Sequence, residues 1–184
     1  MTQALSLLSA GLMALVPLLL VFGLHWLEAR EIAAAFALLA LLRWRLTPAG
    51  SPAAQLVPAA LLALALVVLA SDNPAWFRYY PVAINGALLL LFGASLQRGP
   101  SLIERIARLR EPDLPPEAVR YTRRVTQIWC LFFLLNGAAA LYTALACSLQ
   151  TWALYNGGIA YLLMGLLFAG EFCLRQQLRR QHPS

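Results

Sequence analysis

The chain has 184 residues and a net charge of +6, and 61% of it is hydrophobic against only 12% charged, with a mean hydropathy of +0.69. That is far more apolar surface than one small water-soluble core can bury, so the composition excludes an ordinary soluble domain and places the protein in a bilayer. All fourteen basic residues are arginine, and seven of them crowd into the stretch 97–125.

A bilayer core of about 30 Å needs roughly 20 helical residues per crossing. Apolar stretches at 4–27, 31–46, 56–71, 79–97, 125–147 and 151–174 are candidates for such crossings. They predict an all-α membrane protein: one integral domain over 1–184, a polytopic bundle of about six transmembrane helices, with a cytoplasmic connection at 98–124 between the fourth and fifth spans. The first stretch, "MTQALSLLSAGLMALVPLLLVFGLHW", lacks a basic leading region and exceeds the apolar run of a signal peptide, so it is expected to remain in the mature chain. The second and third stretches are short and need extension at their ends or a thin bilayer.

The connection "QRGPSLIERIARLREPDLPPEAVRYTRRV" has structure of its own. Ser101 followed by Glu104 is a capping-box pattern, and Leu102, Ile103, Ile106 and Leu109 share one helical face with Arg105 and Arg108 off it, which predicts a short amphipathic helix. Prolines at 112, 115 and 116 then end it, and a second helix restarts near Glu117 and enters the fifth span. Arg120, Arg123 and Arg124 meet the membrane surface just before that entry, and with Leu102, Arg105, Ile106, Arg108 and Leu109 they form the predicted surface for lipid or a protein partner. The acids of the connection alternate with arginines and read as a solvated charged surface.

Under six spans, twelve arginines fall on the side shared by both termini and only Arg30 and Arg78 on the other. Loops rich in positive charge stay in the cytoplasm, so both termini are expected inside. Trp26, Trp76 and Trp152 lie at outer turns and Trp44 and Trp129 near inner ends, the places of an aromatic belt. At an offset of 76 residues Trp76, Tyr79 and Phe92 echo Trp152, Tyr155 and Phe168, a match that shared outer-turn composition explains as well as duplication does. Cys130, Cys147 and Cys173 lie in or at the ends of spans and read as small packing residues.

Polar groups at membrane depth must find partners, which singles out Asn85, Asn136, Asn156 and Glu171. Asn136 stands beside "GAAA", small residues that let a neighbouring helix approach, so it reads as a packing amide, and Glu171 reads as the i,i+4 partner of Arg175. No HExxH, GxSxG, phosphate-binding glycine loop or cluster of metal ligands is present, and His25 and His182 lie near opposite faces. No catalytic residue, metal or cofactor is expected, and an enzyme is the weakest of the functional classes.

The segments "SDNPAWFRYYPVAINGALLLLFGASLQRGPSLIERI", "LPPEAV" and "WCLFFLLNGAAALYTAL", followed by Trp152, resemble in order and spacing the intracellular septation protein A (inner membrane-spanning septation protein) family. The likeness runs from about Leu56 to Arg175, as a divergent branch or a related group of bacterial inner-membrane proteins. It implies a role in cell-envelope integrity or septation. The expectation is a non-catalytic scaffold in the bacterial inner membrane. Its expected partners are anionic lipids, envelope or division proteins and further copies of itself, with no nucleic acid. The alternative is a small transporter or lipid-handling protein with a polar pathway along Asn85, Asn136 and Asn156.

Overall fold

The computed structural model describes residues 28–46, 55–109 and 111–181, and these are all-helical, with no strand among them. The predicted first span, with Trp26 and His25, lies outside the described residues. Helix α1 (Ala29–Leu46) opens where Glu31 reaches back to the Glu28 amide at 3.0 Å, one arm of a capping box, and closes on Arg43 and Arg45, cations suited to the negative end of a helix dipole. Helix α2 (Leu56–Ser71) ends at Asp72, whose left-handed φ of 50° is tolerated by its short side chain. The Asp72 carboxylate takes both prongs of the Arg30 guanidinium at 3.2 and 3.3 Å, which pins the start of α1 to the end of α2 as an antiparallel pair.

A 3₁₀ turn, Pro74–Tyr79, capped by Asn73 accepting from the Ala75 amide, leads into α3 (Tyr80–Gln97). After Gly99, at a φ of 89° that favours glycine, comes the short α4 (Leu102–Arg108), its first turn capped by Ser101. Helix α5 (Pro116–Ala146) then runs for 31 residues, roughly 46 Å at the standard rise. Ser148 caps α6 (Leu149–Leu154), which passes through a π turn, Tyr155–Ile159, into α7 (Ala160–Gln181).

Three helical segments are long and apolar enough to cross a membrane: Pro74–Gln97, Pro116–Ala146 and Leu149–Gln176, with hydropathies of 1.5, 1.8 and 1.7. The predicted fifth span is thus the later part of one long helix that begins nine residues earlier, at Pro116. Helix α2 is apolar but only 16 residues long, and α1 carries charge at both ends. Among the described residues, three of the predicted crossings therefore have helices of spanning length and apolarity, and the second and third fall short of it.

Two apolar clusters hold the helices together. One joins Ile32, Ala33, Phe36 and Ala40 of α1 to Leu61, Leu64, Ala65 and Val68 of α2, with Phe77, Tyr80 and Trp152 beneath them. Ala33, Ala40 and Ala65 are 0%, 1% and 0% exposed, so small side chains let α1 and α2 approach closely. The other cluster centres on Trp129, whose ring lies 4.6 Å from Phe168 and 5.6 Å from Phe133, with Phe92 of α3 edge-on to Phe133 at 5.1 Å. Tilted and edge-on pairs of this kind suit the ring quadrupoles.

The belt expectation fails for two tryptophans. Trp152 is fully buried and donates from its indole nitrogen to the Arg78 carbonyl at 2.9 Å, and Trp129 is a core residue, whereas Trp44 and Trp76 stay exposed. A buried indole with a satisfied N–H belongs to the core, and the echo between Trp76 and Trp152 is one of letters only. The stripe of α4 is also displaced. Ile103 packs on the Trp129 cluster and Leu102 is half-buried, but Ile106 and Leu109 project outward, and Glu104 is buried in their stead. The acids of the connection are thus not all solvated, because Glu104 is held by Arg108 at 2.8 Å.

Candidate functional site

The polar residues inside the spans form two separate clusters at the crossings of α3, α5 and the α6–α7 rod. In the first, the Asn85 amide donates to the Pro81 carbonyl one turn back at 2.8 Å, which aims its oxygen at α5. The Asn136 amide donates to that oxygen at 3.1 Å, and the Tyr155 hydroxyl donates to the Asn136 oxygen at 3.0 Å. Three helical elements are thereby joined through two buried amides. The crossing is tight: a Cβ built on Gly137 would meet the Asn85 Cβ at 3.1 Å.

The second cluster lies nearer the Arg30–Asp72 end. Asn156 donates to the Thr143 hydroxyl at 3.2 Å and to the Trp152 carbonyl at 2.8 Å, and Thr143 donates to the Ala140 carbonyl at 2.9 Å. Arg78 donates from one terminal nitrogen to the carbonyls of Thr143 and Cys147, at 2.8 and 2.6 Å. A guanidinium thus closes the end of α5 from another element, where the helix dipole is negative and its last carbonyls lack partners. Asn156 thus meets α5 at Thr143, about two turns along the helix from Asn136, where Asn85 and Tyr155 meet it.

Beside the first cluster a groove of about 430 Å³ lies between α5 and the α6–α7 rod, walled by Ile128, Leu131, Phe132, Leu135, Leu163 and Leu167, with Asn136 and Tyr155 at one end. Its only polar groups are already bonded to each other.

The arginines of the predicted lipid or partner surface gather at the opposite end of the bundle from Arg78. Arg105 donates to the carbonyls of Pro100 and Arg98, at 2.9 and 3.3 Å, and Arg123 to that of Leu96 at 2.9 Å, so both close the end of α3. Arg108 holds Glu104 and also donates to the Pro112 carbonyl at 2.8 Å, and Arg120 lies 4.0 Å from Glu117. Arg124 is exposed and has no ion pair among the described residues. Glu171 pairs with Arg175 at 3.8 Å, and its carbonyl accepts from the Tyr121 hydroxyl at 3.3 Å.

Sequence reasoning missed Tyr155 and Thr143 as partners of the asparagines and Arg78 as the cap of α5. The usable signal was Gly157–Gly158 directly after Tyr155–Asn156, a pair that loosens a helix and here accompanies the π turn. The three cysteines are free thiols, Cys130 and Cys147 half-buried and Cys173 exposed. Among the described residues no group of three or more His, Cys, Asp or Glu side chains is placed to hold a metal ion. No protein-family model matches the chain, and no curated protein or solved structure does.

Proposed function

We propose that this chain is a non-catalytic, six-span protein of the bacterial inner membrane with both termini in the cytoplasm, a scaffold in cell-envelope integrity or septation. One observation carries the reading: Asn85 and Asn136 bond across α3 and α5 and Asn156 donates to Thr143 of α5, its own buried oxygen having no partner among the described residues, while the arginine-rich end presents exposed Ile106 and Leu109 beside Arg105, Arg120 and Arg124. Polar groups arranged in this way hold a bundle together, and a basic end with projecting apolar side chains suits anionic lipid and an envelope or division protein.

The test is complementation of a strain lacking the chain, scored by cell length and envelope permeability at matched membrane abundance. Ile106→Asp is expected to abolish rescue and Asn136→Ala to retain it. The reverse pattern would favour a transport role in which the amides contact substrate.

A further inference from the structure

We propose that the groove between α5 and the α6–α7 rod seats one acyl chain of an anionic phospholipid whose phosphate is held at Arg124, a site that rests on the membrane orientation proposed above. The groove is open along its length, with Leu131 and Leu135 55% and 61% exposed, so a lipid can enter from the side. Ile128 and Asn136 mark its two ends on α5, separated by roughly 12 Å at the helical rise, near the roughly 15 Å hydrocarbon depth of one leaflet. The deep end asks for no polar ligand atom, because the Tyr155 hydroxyl and the Asn136 amide already bond there.

The shallow end is where charge enters. Arg124, Ile128, Leu131 and Leu135 are spaced by four, three and four residues, so the exposed guanidinium continues the same face of α5 one turn beyond the groove. On the facing helix the step from Leu167 leads to Glu171, whose carbonyl accepts from Tyr121 and whose carboxylate is offset by Arg175 at 3.8 Å. Among the described residues of these two facing helix surfaces, Arg124 is then the arginine with no ion pair, placed to meet a phosphate at headgroup level. An acyl chain running up from it meets apolar walls until it reaches the bonded pair of Asn136 and Tyr155.

The experiment is native mass spectrometry of the full chain in mild detergent with phosphatidylglycerol or phosphatidylcholine. One phosphatidylglycerol per chain is expected to be retained in preference to phosphatidylcholine, and Arg124→Gln is expected to weaken that retention about fivefold. Leu131→Trp, which fills the groove, should lower retention of both lipids, and excess inorganic phosphate should displace neither. Wild-type protein in bilayers with a photoactivatable phosphatidylglycerol removes any dependence on variant folding: crosslinks are expected on 128–135 and 163–167. Equal retention of the two lipids, loss to inorganic phosphate, crosslinks confined to other helices, or a lipid-free dimer with the groove covered by a second copy would each overturn the site. A tag at Asp113 read from the outer side, with Arg124-dependent retention intact, would overturn the orientation and leave the lipid site standing.

Discussion

At Asn136 and Gly137 two adjacent residues do different work at one crossing. Removing the Asn136 side chain frees the Asn85 oxygen and the Tyr155 hydroxyl, but interhelical hydrogen bonds in membranes average only about 0.6 kcal/mol and reach about 1.7. Adding bulk at Gly137 instead drives a side chain toward the Asn85 Cβ, which a Cβ there would meet at 3.1 Å, and overpacking of this kind typically costs about 1–3 kcal/mol. Gly137→Leu is therefore expected to lower the melting temperature in detergent further than Asn136→Ala. An alanine variant that melts below the leucine variant would show that the amide bonds, and not the close backbones, hold the crossing. This pair was legible in the sequence because an amide beside small residues has few other uses inside a bilayer. Tyr155 was not, because its aim at Asn136 depends on a π turn that shifts the register of the helix and that no spacing rule anticipates.

The end of α5 shows an element stabilised from outside itself. Arg78 lies 65 and 69 residues from the carbonyls it caps, Thr143 and Cys147, so its role could not be read from any local pattern; as a sequence letter it only counted toward topology. The site also gathers elements, since the Arg78 carbonyl accepts from Trp152 and Thr143 accepts from Asn156. Hydrogen bonds to charged groups contribute about 1.5–3 kcal/mol, and half-buried carbonyls left without a donor add to the loss. Arg78→Gln should thus destabilise the bundle by about 2 kcal/mol and raise amide exchange through the π turn and the start of α6, with Arg78→Lys recovering only part because its ammonium stops one bond short of the terminal nitrogen that makes both bonds. Unchanged exchange in the glutamine variant would mean that Ser148 and the packing of Trp152 suffice to hold this end. The same long-range logic buried Trp152, whose indole donates to a carbonyl 74 residues away, whereas Glu104 is buried with a local partner, Arg108, four residues on in the same helix.

On the scale of the whole bundle, the described helices sort the arginines by end. Arg30 and Arg78 meet Asp72 and the end of α5, while Arg98, Arg105, Arg108, Arg120, Arg123, Arg124 and Arg175 gather at the other end with Tyr121 and Glu171. Among the described residues three segments have the length and apolarity to cross, and α1 and α2 fall short of it. Helix α1 has 18 residues and α2 has 16, roughly 27 and 24 Å of helix against a core of about 30 Å. Yet their outward faces carry Leu38, Leu41, Leu66 and Val67, exposed at 70%, 50%, 56% and 41%, which water would not tolerate as a continuous patch. Hydrocarbon accepts such a face, and the arginines at both ends of α1 can snorkel to the headgroups while the bilayer thins around them. The hairpin is therefore expected to cross fully. Epitope tags at Asn73 and Gln150 should be reached from the outer side of intact cells, and tags at Ser51, at Asp113 and after Ser184 only once the membrane is opened. A tag at Ser51 reached from the same side as Asn73 would mean that α1 and α2 dip into one leaflet and return. The arginine sorting would then have to be explained with fewer crossings.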